Sequence, residues 1–351
     1  MRQGDISLVL SGGVALGAYQ GGAYAALHEA HDRDLRWLAG SSIGAVNAAI
    51  IAGNEPDRRV AQLEAFWQAA ALPLPDTGGL LQQSPARQLN NWLMAMHTRA
   101  LGRAGIFTPR PPAELLLGGT LSLYDLGPLG GKLEQFIDFR RLNEGDVRLS
   151  VVTTDLETGE AVVFDTTDGA AEGWIEPKHL LASCGFLPEF EPIEIDGRLL
   201  GDGGLVANAP IEVVLDGEGG DDGDPDEPLT CFLVELFCRR GERPKTLVAA
   251  AERRLDLLLA GQTKRALDGL VREFAGRRAQ SPGALVLHLA YRPVPATAGP
   301  QKHFDFSPAS LADRWTSGAA DMQAALSTWH TMAAPKRGEL VIHEVGQEAA
   351  L

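Results

Sequence analysis

Three short glycine-bearing stretches hold residue types that could do chemistry together. Ser42 stands in Gly40-Ser41-Ser42-Ile43-Gly44, and Gly-x-Ser-x-Gly between a strand and a helix is the spacing of a nucleophile elbow. A serine on so sharp a turn sits in strained backbone, and the flanking glycines let neighbouring chain come close. Its hydroxyl then lies at the positive end of the following helix, which favours the oxyanion of acyl transfer. Asp202, in Asp202-Gly203-Gly204, could serve as general base. Backbone N–H groups around Gly12, Gly13 and Val14 could bind the oxyanion, because a glycine turn lets several donors face one point. Together these parts would suit nucleophilic ester cleavage.

Such parts must be gathered by the elements between them. Ile6–Leu10 reads as a buried strand, too short for a helix and rich in branched residues. A helix is expected from about Ala18 to Ala30, a second strand over Leu35–Ala39, and a small-residue helix over Ala45–Ala52 ending at Gly53. Strand, glycine turn and helix, twice over, imply a parallel sheet with helices on its faces. Sites in such sheets gather at the C-terminal ends of the strands, where the Gly12 and Ser42 turns fall. Further helices are expected over Arg58–Ala71, Leu129–Asp138, Pro177–Cys184, Lys245–Ala275 and Ser310–Trp329. Strands are expected at Leu149–Thr154, Ala161–Phe164, Cys231–Phe237, Ala284–Tyr291 and Leu340–Glu344. Ile193–Leu200 reads as a hairpin with Asp196-Gly197 at its tip and leads straight into Asp202.

Composition narrows the function. The 351 residues are 45% hydrophobic and 22% charged, ordinary for a globular chain with ample core. A net charge of −15 leaves no basic footprint for nucleic acid. Cys184, Cys231 and Cys238 form no CxxC, so neither a disulfide framework nor a zinc site is expected, and buried thiols suit a reducing, cytoplasmic setting. The N-terminal apolar run is too short for a secretory leader, and no run is long enough to span a membrane. Neither metal nor cofactor is expected.

Two segments stand apart. Residues 77–113 hold Arg87, Arg99, Arg103 and Arg110 but no carboxylate, interleaved with Leu80, Leu81, Trp92, Met94, Met96 and Phe107. Pro and Gly cut this segment into short pieces, as in an insertion on a sheet. Either it packs as a small helical subdomain, or it forms a lid whose basic and aromatic residues meet a lipid interface. Asp216–Glu227 is acidic, but Glu227 stands where a calcium loop needs glycine and Leu233 where it needs a bidentate Glu, so a solvated loop is expected. No linker splits the chain, which reads as one domain over 1–351. Its motif-bearing core spans about 5–215, with an acidic loop at 216–228 and a C-terminal extension of the core over 229–351.

In their order the three turns resemble those of the patatin-like phospholipase family of lipid acyl hydrolases. Ser11-Gly12-Gly13-Val14-Ala15-Leu16-Gly17 is similar to that family's oxyanion turn, Gly40–Gly44 to its elbow and Asp202–Gly204 to its Asp-Gly-Gly motif. Ala182–Pro188 and Ile195-Asp196-Gly197 resemble the run that leads to its aspartate. The resemblance implies a three-layer α/β/α fold and a Ser42–Asp202 dyad without histidine. It also implies an oxyanion hole at Gly12, Gly13 and Val14, and motif glycines at Gly17, Gly40, Gly44, Gly203 and Gly204. Hydrolysis of phospholipid or related acyl esters follows, of phospholipase A or lysophospholipase type, with transient contact at a membrane surface.

Two positions depart from the family's pattern. Val14 replaces a usual third glycine; its N–H remains a donor provided φ stays negative. Leu16 replaces a usual basic residue, removing a positive charge near the hole. These departures also allow a catalytically silent, lipid-binding or regulatory relative. A dinucleotide-binding turn at Gly12–Gly17 is disfavoured, because Gly-x-Gly-x-x-Gly lacks its second glycine here and Ser42 and Asp202 go unexplained. A Ser-His-Asp triad is the competing mechanism, yet none of His179, His288, His303, His330 or His343 sits in a context that marks it as catalytic.

Overall fold

The computed structural model describes residues 5–31, 35–73, 85–168, 174–216, 228–276, 282–293 and 301–346. Strand β1 (Ile6–Leu10) passes through a 3-10 turn (Val14–Gly17) into α1 (Ala18–His31). Then come β2 (Leu35–Ser41), α2 (Ile43–Ala52) and α3 (Arg59–Ala70). The insertion holds α4 (Pro85–Leu101), β3 (Thr108–Pro109), α5 (Pro112–Leu117) and β4 (Tyr124–Asp125). Helices α6 (Gly127–Phe136) and α7 (Phe139–Glu144) lead to β5 (Arg148–Asp155) and β6 (Ala161–Asp165). After α8 (Pro177–Ser183) come β7 (Ile193–Ile195), β8 (Arg198–Asp202) and α9 (Ile211–Asp216). The chain closes with β9 (Leu229–Glu235), α10 (Leu247–Gly276), β10 (Ala284–Ala290), α11 (Pro308–Thr331) and β11 (Leu340–Glu344).

One nine-stranded sheet runs β11-β10-β9-β1-β2-β5-β8-β7, with β6 also paired to β5. From β11 to β5 every neighbour is parallel. Side chains alternate across a strand, and burial here alternates between two cores. Leu8, Leu10, Phe232, Val234, Leu285 and Leu287 face the core built with α1, α2, α3 and α11. Val9, Ala39, Cys231, Leu233, Ala284 and Val286 face Ile211 and Val214 of α9 and Leu267, Leu270 and Phe274 of α10. Helices thus cover both faces of the sheet in three layers, as expected. Each large side chain so enclosed contributes about 1.5–3 kcal/mol. The C-terminal strands therefore belong to the same sheet and cores as β1 and β2.

The sheet is mostly parallel, and strand β8 is one of its antiparallel members. On one edge of β5, Ser150–Val152 pair with Ala39–Ser41 of β2 in parallel. Those residues and Thr153–Thr154 pair with β6 on the opposite edge. Beyond Val152, where β2 has turned into the elbow, Thr153–Asp155 pair with Asp202–Leu200 in antiparallel register. Strand β8 thus takes up the edge that β2 vacates, which places Asp202 directly beyond Ser41 along β5. An antiparallel strand would normally deliver its C-terminal end to the far side of the sheet. Its short overlap with β5 delivers that end to the elbow instead.

The insertion also differs from expectation. Its largest piece is a single 17-residue helix, α4, rather than short fragments. Its four arginines do not form a free basic patch. Arg87 pairs with Asp313 at 2.7 Å, and Arg103, 6% exposed, donates to the carbonyls of Ala69, Ala70 and Ala71 that end α3. Arg110 pairs with Glu191, and Arg99 lies over the Phe304 ring. Residues 77–84, with Leu80 and Leu81, lie outside the described residues, as does the acidic loop from 217 to 227.

Candidate active site

Ser42 caps α2 with φ 55° and ψ −130°, a region that side-chain-bearing residues occupy at a cost of about 1–3 kcal/mol. The surroundings hold it there. Its N–H donates to Ser183 Oγ at 2.8 Å, and that hydroxyl donates to Val152 O at 2.6 Å. The preceding Ser41 Oγ donates to Ala207 O at 2.7 Å. Glycines admit the crowding: a Cβ on Gly44 would lie 2.1 Å from Leu10 O, and one on Gly40 2.6 Å from Ala45 N.

Asp202 arrives at the end of β8 with its backbone fixed on both sides. Its N–H donates to Gly185 O at 3.0 Å, and its carbonyl accepts from Thr154 Oγ1 at 2.7 Å. Its carboxylate accepts from Gly204 N–H at 2.6 Å, and the Ser42 hydroxyl lies close enough to favour its charged form. It is 2% exposed, and burial pushes its pKa up to about 7, against the smaller opposing effects of the Ser42 hydroxyl and the Gly204 N–H. The Cys184 thiol lies near Ser42 and close enough to feel the Asp202 charge; burial raises its pKa far above the ordinary thiol range. No histidine is among the groups around Asp202 in the described residues. His179 is occupied elsewhere, its Nδ1 accepting from Glu176 N–H at 2.8 Å. His288 pairs with Glu235 at 2.8 Å.

The oxyanion turn corrects two expectations. Gly12 N–H already donates to Asn208 O at 3.1 Å, so it is not a free donor. What Gly12 supplies is space: a Cβ there would lie 3.0 Å from Ser42 Cβ and 2.7 Å from Asn208 Oδ1. Gly13 and Val14 N–H have no acceptor among the described residues and remain the candidate donors. The condition placed on Val14 fails, since its φ is +52°. A β-branched residue there is a genuine backbone outlier, holding in strain the shape a glycine would adopt freely. Leu16 is fully buried and places no charge at the hole. The nearest structural support comes from α11. Arg314, 3% exposed, donates through Nη1 to Ala15 O at 3.0 Å and Asp305 O at 2.7 Å, and through Nη2 to Lys302 O at 2.8 Å.

The three sequence turns therefore meet. Gly12 lies against Ser42 and Asn208, Asp202 follows Ser41 along β5, and Gly17, Gly40, Gly44, Gly203 and Gly204 sit where a Cβ would collide with neighbouring atoms. Ser183, Asn208 and Arg314 escaped sequence reasoning. Only Ser183 carried a trace, lying inside the run Ala182–Pro188.

A family model described as patatin-like phospholipase matches residues 8–215. No curated protein matches the chain. Among solved structures it is similar to VipD from Legionella pneumophila at 13% identity and TM-score 0.43, covering 93% of this chain and 67% of that one. A type III effector protein, ExoU, is similar at 15% identity and TM-score 0.35, covering 94% and 54%. Full-length ExoU in complex with SpcU from Pseudomonas aeruginosa is similar at 16% and 0.30, covering 75% and 53%. The chain thus spans between about half and two thirds of these neighbours' length.

Proposed function

This chain belongs to the patatin-like phospholipase family, and we propose that it cleaves lipid acyl esters with Ser42 as nucleophile and Asp202 as general base. The observation that carries this reading is the placement of the Ser42 elbow beside a buried carboxylate, Asp202 following Ser41 along β5 and the Ser42 hydroxyl acting to favour its charged form. As Ser42 Oγ attacks the acyl carbon, its proton passes to Asp202. The carbonyl oxygen becomes an oxyanion facing Gly13 and Val14 N–H and the N-terminus of α2. Collapse expels the alcohol part of the lipid, which takes the proton back from Asp202. Water, deprotonated by the same carboxylate, then releases the fatty acid and restores Ser42. A carboxylate with a pKa about 7 is a far better base than one near 4, each unit narrowing the proton-transfer gap by about 1.4 kcal/mol.

Lipid would reach this site from an aggregate surface. Helix α5 ends in Leu115, Leu116 and Leu117, the last two 86% exposed. The neighbouring β4 segment is bonded to the run before Asp202 through Leu123 N–H to Pro188 O and Tyr124 N–H to Glu189 O, both at 2.9 Å. These leucines, rather than a basic patch, provide the membrane-surface contact in this reading. The strained Val14 favours a second reading, a slow or silent lipid-binding relative. A fluorophosphonate probe separates the two: wild-type protein should be labelled and Ser42→Ala should not. Unlabelled wild-type protein would favour the silent relative, and a labelled Ser42→Ala would place the nucleophile elsewhere.

A further inference from the structure

We propose that Gln262, on α10 and outside the residues matched by the family model, is a positioning residue that clamps the loop carrying Asp202. Resting on the dyad reading, the inference adds the piece that holds the base in register with its donor.

The loop from Gly203 to Asn208 touches all three catalytic turns. Asn208 O accepts from Gly12 N–H at 3.1 Å, Ala207 O accepts from Ser41 Oγ at 2.7 Å, and Gly204 N–H donates to Asp202 at 2.6 Å. Movement of this loop would therefore disturb nucleophile, base and oxyanion turn together. Within the loop, Val206 and Ala207 N–H close only short turns onto Gly203 O. Gln262 grips it from outside at both ends. Its Oε1 accepts from Asn208 N–H at 2.9 Å, and its Nε2 donates to Gly204 O at 3.1 Å, with Leu205 O at 3.4 Å.

Packing does not substitute for this grip. A cavity of about 220 Å³ opens between the loop and α10, lined by Val206, Asn208, Glu212, Gln262, Thr263 and Arg265. The Asn208 side-chain Nδ2 has no partner among the described residues. The half-buried Gln262 thus bridges a cleft through directional bonds. Removing them frees Gly204 to swing, and its N–H, bonded to the carboxylate at 2.6 Å, is one of the two groups that favour the charged form of Asp202. The groups facing that carboxylate are Ser42 from α2, Cys184 from the end of α8 and Gly204 of its own turn. Glu212 of α9 and Arg265 of α10 line the cleft behind the loop.

The test follows the Asp202 carboxyl carbon by NMR in protein labelled with carbon-13 at aspartate, assigned by its loss in Asp202→Asn. Gln262→Met keeps length and bulk but makes neither bond. Gln262→Glu keeps the acceptor for Asn208 N–H, loses the donor to Gly204 and serves where the first variant folds poorly. Either should move the Asp202 titration midpoint up by roughly half a pH unit or more, the scale of weakening one hydrogen bond to a carboxylate. Thermal unfolding should stay nearly unchanged. A midpoint equal to wild type in a folded variant overturns the proposal. No turnover is needed, so this outcome stands whether or not Ser42 is labelled by the fluorophosphonate, and the two readings fail separately.

Discussion

At the scale of single residues, the site is built by placing unfavourable conformations and charges where chemistry needs them. Ser42 and Val14 both occupy positive φ, and Asp202 is ionisable yet almost fully enclosed. Val14 offers the cleaner experiment, since Gly13 and Val14 supply backbone groups and no side-chain function. Left-handed backbone costs a β-branched residue about 1–3 kcal/mol, whereas glycine costs up to about 1 kcal/mol in unfolded-chain entropy. Val14→Gly should therefore stabilise the fold by about 1 kcal/mol, which calorimetry would read as a small rise in Tm. Unchanged or faster labelling of Ser42 should accompany it. A destabilised Val14→Gly would show that the valine side chain, half-buried against the core, outweighs the strain.

At the scale of elements, what was legible in the sequence was local, and what was not depended on distant partners. β1, α1, β2 and α2 each announce themselves through branched apolar runs, glycine turns and small-residue helices, and they stand close to where those signals place them. The Asp196-Gly197 hairpin was equally legible, both residues having positive φ. The reversal of β8 was not, because it depends on β2 ending at Ser41 and freeing an edge of β5. The arginines of the insertion misled for the same reason. Their partners, at Ala69–Ala71, Glu191, Phe304 and Asp313, lie far along the chain. Charge reversal at Arg103 would thus break backbone anchors rather than a lipid contact. In the proposed reading the lipid contact falls to exposed leucines, so Leu116→Asp with Leu117→Asp should lower hydrolysis of zwitterionic vesicles several-fold. Hydrolysis of a short soluble ester should hardly change, because neither residue supports the core. Equal loss on both substrates would mean that α5 shapes the site itself.

At the scale of the whole molecule, the catalytic turns depend on parts of the chain far beyond those that carry the motifs. Strand β1 pairs along its full length with Thr230–Val234 of β9, Arg314 of α11 holds the carbonyl of Ala15, and Gln262 of α10 holds the Gly203–Asn208 loop. The net charge of −15 acts over the same scale. It repels anionic surfaces within a Debye length of about 8 Å at physiological salt, so neutral lipid surfaces suit apolar docking better. Among the described residues no helix is long and apolar enough to cross a membrane. Both C-terminal helices look, in the sequence, like ordinary amphipathic segments; nothing local marks Gln262 or Arg314. The central claim is that Ser42 is activated by Asp202 directly. Its most direct test is the rate of Ser42 labelling by fluorophosphonate between pH 5 and 9. A base with a pKa of about 7 must lose its proton to act, so wild-type labelling should rise with pH through a single midpoint near 7. Asp202→Asn should be slower by roughly a hundredfold or more and should lose that midpoint. An Asp202→Asn variant labelled at the wild-type rate, or a histidine variant as slow as Asp202→Asn, would contradict the account.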